Sequence, residues 1–280
     1  MKPGRPIQTV GHRGAGALAP ENTLLAIRVA IAHRLDYVEV DVHLSRDGQL
    51  VVHHDAQVVD QNGVRVPVAG LTAAELARIP KGDDQVVPTL AEVLTLAADR
   101  IGVYIELKAA GTADALGTLL RGCTDAPQLI CGSFLPELVA EVRRAAPDVP
   151  RSVLFRRTPR PTMIETCGAV AARYAHPCAR PIGPGMIAEL HAAGLLVMTP
   201  HTNSHLEAER FRRAGADLVA SDDPRLLAEI IRRAAEERRD HGDRFWRGAG
   251  PETHDPTRLR PLRSNWAPDA GTGVELSSPP

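Results

Sequence analysis

A (β/α)8 barrel is the fold class that this sequence predicts, and three observations point to it. Eight short apolar runs, at 7–10, 38–43, 101–107, 128–132, 151–155, 169–173, 195–199 and 217–221, read as strands, each followed by a plausible return helix. The length of 280 residues is enough for one large α/β domain with a substantial core. Charged residues collect where separate strands stop: His12 after the first, Glu39 and Asp41 on the second, Glu106 at the end of the third. A barrel gathers such strand ends over one mouth. A doubly wound sheet is the competing arrangement, but its first three strands need not surround one point.

The elements follow in order. Ile7 to Val10 is a strand that stops at Gly11-His12-Arg13-Gly14-Ala15-Gly16, whose glycines permit tight turns or close backbone approach to an anion. A helix starts after Pro20-Glu21-Asn22-Thr23, with Leu24, Ile27 and Ile31 at the helical period and Asn22 or Thr23 as its cap. Tyr37 to Leu44 alternates, with Val38, Val40 and Val42 on one face and Glu39, Asp41 and His43 on the other. Asp47-Gly48 reads as a two-residue hairpin turn and Gln49 to His54 as the returning strand. Pairing Arg46 with Gln49 across that turn would set Asp41 opposite His54.

Residues 56–90 are the least periodic part of the first half and read as a loop, a short strand and a short helix, a short extension between the second and third barrel strands. Thr89 and Glu92 have capping-box spacing for the next helix. Ile101 to Leu107 places Tyr104, Glu106 and Lys108 on one side. Helices at 112–121, 136–145, 161–166, 184–192, 204–213 and 224–238 continue the alternation. After Arg238 the pattern fails. Residues 239–280, rich in Gly, Pro and Arg and containing Trp246 and Trp266, are expected to form a tail outside a barrel domain of 1–238, or to pack back on the barrel or on a partner chain through Phe245 and Trp246.

Composition narrows the class. Hydrophobic residues are 44% and charged residues 24%, the balance of a soluble globular protein, and the net charge of -1 offers nothing to nucleic acid or an anionic membrane. Arginine pairs such as 143–144, 212–213 and 232–233 read as helix faces. No run approaches the ~18 apolar residues of a membrane span, and MKPGRPIQTV lacks the apolar core of a secretory signal. A cytoplasmic location is therefore expected. Cys123, Cys131, Cys167 and Cys178 show neither CxxC nor zinc spacing and are expected to stay reduced.

Glu39, Asp41 and Glu106 at the ends of two strands would repel one another in a closed mouth unless protons or a cation intervened. Hard oxygen ligands suit Mg²⁺ or Ca²⁺; the alternative for any one of them is a surface salt bridge. His12 and His54 form a candidate proton-transfer pair, imidazole being the side chain that titrates near neutrality. Arg13 offers a planar fork to phosphate, or else pairs with Glu21 or Asp41.

The phrases His12-Arg13-Gly14, Pro20-Glu21-Asn22, Glu39-Val40-Asp41, Asp47-Gly48 and His54-Asp55 resemble the signature of the glycerophosphodiester phosphodiesterase family, and Glu106-Leu107-Lys108 resembles its ELK phrase. The resemblance covers about 8–233, densely in 10–55 and 101–108. It implies a barrel of the phospholipase C-like phosphodiesterase type. It also implies one divalent cation, Mg²⁺ or Ca²⁺ with Mn²⁺ as a further option, on Glu39, Asp41 and Glu106. His12 and His54 match the family's acid and base; His53 stands where the family carries an apolar or aromatic residue. Lys108 would hold phosphate beside Arg13 or orient Glu106, and Glu21 and Asn22 would support the site. A family phrase WTxN is matched only by Asn203, since Thr199-Pro200-His201-Thr202-Asn203 lacks the Trp.

The implied activity is metal-dependent hydrolysis of a small glycerophosphodiester to glycerol 3-phosphate and an alcohol such as choline or ethanolamine. The alternatives are a lysophospholipase D-like enzyme acting on a larger lipid diester and a non-catalytic barrel that binds phosphate ligands. No nucleic-acid partner and no integral membrane segment are expected, and the sequence does not indicate an oligomeric state.

Overall fold

The structure is a computed structural model that describes residues 7–60, 62–122, 128–179 and 181–245. The chain opens with β1 (Gln8–Gly11), α1 (Leu24–Ala32) and β2 (Tyr37–Leu44). β3 (Leu50–Val52) folds back on β2, and two small hairpins follow, β4 (Gln57–Val59) with β5 (Arg65–Pro67) and, after α2 (Ala73–Leu76), β6 (Pro80–Gly82) with β7 (Gln85–Val86). Alternation then resumes with α3 (Leu90–Ala97), β8 (Gly102–Leu107), α4 (Thr112–Leu120), β9 (Leu129–Ser133), α5 (Pro136–Ala145) and β10 (Arg151–Phe155). It finishes with α6 (Arg160–Ala169), β11 (Tyr174–Pro177), α7 (Pro184–Ala192), β12 (Leu196–Val197), α8 (His205–Ala214), β13 (Leu218–Ser221) and α9 (Pro224–Phe245).

The main sheet has nine strands; β3 is antiparallel, and the other eight run parallel in the order β12-β11-β10-β9-β8-β2-β1-β13. A bridge between Met198 and Leu218, with the Thr199 N–H donating to Leu218 O at 3.0 Å, links β12 to β13 and brings the ends together. The result is the (β/α)8 barrel expected from the alternation. Val38, Val40 and Val42 are fully buried in the layer between sheet and helices, while Val10, Tyr104, Ile130, Leu154, Tyr174, Met198, Leu218 and Ala220 fill the barrel interior. A third cluster of Val51, Val58, Val68, Leu76 and Val87 gives the extension its own small core. Among the described residues no helix is long and apolar enough to cross a membrane.

Local chemistry accounts for the boundaries. Thr23, not Asn22, caps α1, its side chain accepting from the Ala26 N–H, and Thr89 and Glu92 form the expected capping box on α3. The sixth strand is displaced from the expected 169–173 to β11 at Tyr174–Pro177. The run Ala169-Val170-Ala171-Ala172 is Ala-rich, which favours helix over strand. It ends α6 and turns through Ala171 at φ 50°. Residues 56–90 contain more strand than expected, as the two hairpins show. α9 continues to Phe245, past the point where the sequence pattern fails, and Cys123, Trp246 and Trp266 lie outside the described residues.

Gly132 shows how tightly the barrel is filled. Tyr104 is fully buried and donates to Ser152 Oγ at 2.8 Å, and a Cβ on Gly132 would lie 2.6 Å from that phenol oxygen and 2.8 Å from Leu154 Cδ1. Gly132→Ala should therefore cost about 1–3 kcal/mol in urea unfolding through overpacking. Gly168→Ala, on the exposed side of α6 with nothing within 4 Å, should be neutral or gain up to about 1 kcal/mol.

Candidate active site

The middle of β2 and the C-terminal end of β8 bring three carboxylates together. Parallel register sets Asp41 beside Glu106 and Glu39 beside Tyr104. Ligand oxygens of Glu39, Asp41 and Glu106 lie within 4.8 Å of one another, and all three residues are at most 8% exposed. Asp41 Oδ2 accepts from Asn22 Nδ2 at 2.8 Å, and Asn22 Oδ1 accepts from the Asp41 N–H at 3.1 Å. Lys108 Nζ bridges Asp41 Oδ1 at 3.0 Å and Glu106 Oε1 at 2.7 Å.

Burial, and then the charges of Asp41 and Glu106, push the Glu39 carboxyl well above the usual range. Burial also lifts Glu106, against the pull of Lys108 and with a further push from Asp41. Asp41 moves the other way: burial opposes ionisation, but Lys108, the Asn22 amide and nearby His54 hold its pKa below the usual value. Glu39 Oε2 accepts from the Arg13 N–H at 2.9 Å, whereas Glu39 Oε1 is buried with no hydrogen-bond partner. Three carboxylates against Arg13 and Lys108 leave an excess of negative charge. An orphaned buried oxygen in such a set fits a hard divalent cation, which Glu39, Asp41 and Glu106 could hold.

His12 is presented by the turn after β1. A Cβ on Gly11 would lie 2.0 Å from Gly14 O, and Gly14 sits at φ 91° with Ala26 Cβ 2.7 Å from where a Cβ would be. Only glycine allows this turn, which aims the Arg13 N–H at Glu39. His12 Nδ1 lies 2.6 Å from Asp222 Oδ1, and Nε2 lies 4.0 Å from Glu39 Oε2. Asn203 donates through Nδ2 to Asp222 Oδ2 at 2.7 Å and accepts at Oδ1 from Ser221 Oγ at 2.9 Å and the Asp222 N–H at 3.1 Å. Partial burial works against the Asp222 carboxylate, yet hydrogen bonds from His12 and Asn203 bring its pKa down to about 2. An ionised Asp222 accepts only, so it keeps a proton on Nδ1 and leaves Nε2 to face the carboxylates. The His201 ring stacks on His12 with centroids 4.1 Å apart and planes 4° from parallel.

His54, whose Nδ1 is 2.7 Å from Asp55 Oδ1, lies close enough to act electrostatically on both Asp41 and Glu106. The expected cross-strand pair of Asp41 with His54 is not formed. Ser45, not Arg46, faces Gln49, the ladder aligns Val42 with Val52, and the His53 N–H donates to Asp41 O at 2.9 Å. The turn holds three residues, Arg46-Asp47-Gly48, with Gly48 at φ 77°, which moves the register by one. β3 ends at Val52, and His54 reaches the mouth from the loop beyond. His53 turns away to Gln57 O at 3.2 Å and Lys81 Nζ at 3.3 Å. Arg13 Nη1 engages Glu21 Oε1 at 2.9 Å and Oε2 at 2.8 Å, while its Nε lies 3.5 Å from Asp41 Oδ2.

Residues 12–226 match the model of the glycerophosphoryl diester phosphodiesterase family. The chain belongs to that family. A glycerophosphodiester phosphodiesterase of Caldanaerobacter subterraneus subsp. tengcongensis is 26% identical over 246 residues, 80% of this chain and 97% of the relative. The crystal structure of a glycerophosphodiester phosphodiesterase from Agrobacterium tumefaciens is 27% identical at a TM-score of 0.68, covering 79% of this chain and 99% of that one. A phosphodiesterase of Oleispira antarctica, solved in complex with the product sn-glycerol-3-phosphate, is 25% identical at a TM-score of 0.74, covering 82% and 96%.

In this family member the residues singled out from sequence fall into one mouth, with Asn203 joined to it through Asp222. Asp222 itself escaped sequence reasoning. Its signal was its place as the first residue after the last strand, in Ser221-Asp222-Asp223-Pro224, where Gly11 pairs with Ser221 and so sets it beside His12. The carboxylate cluster predicts a titratable cation site. In calorimetric titration with Mn²⁺, Glu39→Gln should weaken binding by more than the roughly tenfold that loss of an outer partner costs. Asp222→Asn, which leaves all three carboxylates in place and reaches them only through His12, should bind Mn²⁺ within about threefold of the unmodified chain.

Proposed function

We propose that this chain hydrolyses glycerophosphodiesters to sn-glycerol 3-phosphate and an alcohol, by acid and base catalysis at His12 and His54 with a divalent cation on Glu39, Asp41 and Glu106. One observation carries the reading: His12 is fixed by Asp222 at 2.6 Å with its other nitrogen 4.0 Å from the Glu39 carboxylate, beside an orphaned oxygen. The family match over 12–226 and the product held by the Oleispira antarctica relative support the substrate class. Mg²⁺, Ca²⁺ and Mn²⁺ all suit the oxygen set.

When bound, the cation supplies positive charge against the phosphoryl oxygens. Lys108 and Arg13 add fixed positive charge beside it, and Glu21 and Asn22 hold Arg13 and Asp41 in place. The glycerol hydroxyl next to the ester attacks phosphorus while one imidazole takes its proton. The other imidazole gives a proton to the departing alcohol, leaving a cyclic phosphate. Water then opens that ring, with the two histidines exchanging roles, so that one water is consumed per diester. Asp222 and Asp55 each hold an Nδ1, which directs each Nε2 toward proton transfer.

His12→Asn and His54→Asn should each lower kcat by roughly 10² or more, with Mn²⁺ binding retained, whereas His53→Asn should be much milder. Exhaustive chelation should abolish turnover and divalent ions restore it; full activity in metal-free protein would remove the cation from the reaction. The nucleophile is tested separately, with a glycerophosphodiester lacking the vicinal hydroxyl. It should act as a competitive inhibitor but be cleaved very slowly, because it forfeits the proximity advantage of internal attack. Comparable kcat for the deoxy and parent diesters would point to direct attack by water instead.

A further inference from the structure

The wall of the mouth that continues from β8 through β9 and β10 has a charge of its own. Phe134 and Arg156 are the first residues past β9 and β10, at the same end of the barrel as His12, Lys108 and Asp222. Phe134 packs against the inner barrel cluster together with Cys178, and the Arg156 guanidinium carbon lies 4.7 Å above its ring centroid. Arg156 is exposed, and among the described residues no carboxylate pairs with it. Arg13 and Lys108 differ in this respect, since each is committed to acidic partners. Cys178 ties the wall to the centre: burial, then Glu106, raise its thiol to about 12 while Arg156 pulls it down, so the carboxylate cluster and Arg156 act on one side chain.

We propose that Arg156 over Phe134 is the leaving-group subsite, and that it selects glycerophosphodiesters whose alcohol carries a carboxylate or phosphate over those whose alcohol is a cation such as choline. A quaternary ammonium is recognised by open aromatic faces. Here the Phe134 face already holds a guanidinium, and the His201 face is laid against His12. A cationic alcohol over β9 and β10 would meet like charge, whereas an anionic one would meet an unpaired fork of donors. The glycerol half is uncharged, so discrimination by charge reports on the alcohol alone. The inference rests on the hydrolase reading of the same site.

The test uses three glycerophosphodiesters of similar size, made with 3-hydroxypropionate, 1-propanol and choline, and follows release of glycerol 3-phosphate from the full chain. At low salt kcat/KM should fall in that order, by about fivefold to tenfold per step, the size of one partly screened charge contact. Added salt should compress the series. Arg156→Gln should bring the ratio of anionic to neutral substrate close to one, and Arg156→Lys should keep part of it. A choline diester cleaved as well as the anionic one, or a ratio unmoved by Arg156→Gln, would overturn the proposal. Cleavage of the neutral diester keeps the hydrolase reading whatever the charge order; if all three diesters resist cleavage, that reading fails and the subsite falls with it.

Discussion

Three carboxylates buried within 4.8 Å of one another are the constraint from which the rest of the mouth follows. Taking such groups out of water favours their neutral forms, and their mutual repulsion adds to the cost. The protein offsets part of this with Lys108, which bridges Asp41 and Glu106, and with the Arg13 N–H on Glu39. The offset is incomplete, as the raised Glu39 and Glu106 pKa values and the orphaned Glu39 oxygen show. That imbalance is a standing invitation to a hard cation. The cluster in turn depends on the strand pairing, since the parallel alignment of Asp41 with Glu106 brings acids from two strands to one level.

Around this centre two histidines are held in the same way by different means. Asp222 reaches His12 because the last strand pairs with the first, and Asn203 fixes the carboxylate in turn. Asp55 follows His54 directly in the chain and holds it without help from a strand. One imidazole is thus anchored to the rigid barrel and the other to a loop that leaves the sheet after Val52. An imidazole just past a rigid strand end and a second on a loop would suit the proposed proton transfers, in which substrate must be admitted and alcohol released.

Much of this was legible in the residues. The alternation of Val38, Val40 and Val42 with Glu39, Asp41 and His43 states which face is apolar, and the placing of polar residues at strand ends distinguishes a closed barrel from an open sheet. What was hidden depends on closure or on small geometric margins. Asp222 lies 210 positions from His12, so nothing local in the chain advertises their contact. The hairpin register turns on whether two or three residues occupy the turn, and Asp47-Gly48 is compatible with both. The sixth strand begins five residues later than the apolar pattern implies, because Ala-rich 169–172 is apolar enough to imitate a strand while its backbone finishes a helix. His201 occupies ground where the family's Trp is absent, and its stacking on His12 could be seen only once the barrel had closed.

The central claim is that the repulsion among Glu39, Asp41 and Glu106 is resolved by a cation in their midst. Anomalous diffraction from crystals grown with Mn²⁺ tests it directly. The account predicts a single strong peak within about 2.0–2.3 Å of oxygens from all three carboxylates, as for a small hard ion. A peak at the neighbouring group of His12, His201 and Asp222, or no peak at saturating Mn²⁺, would contradict it.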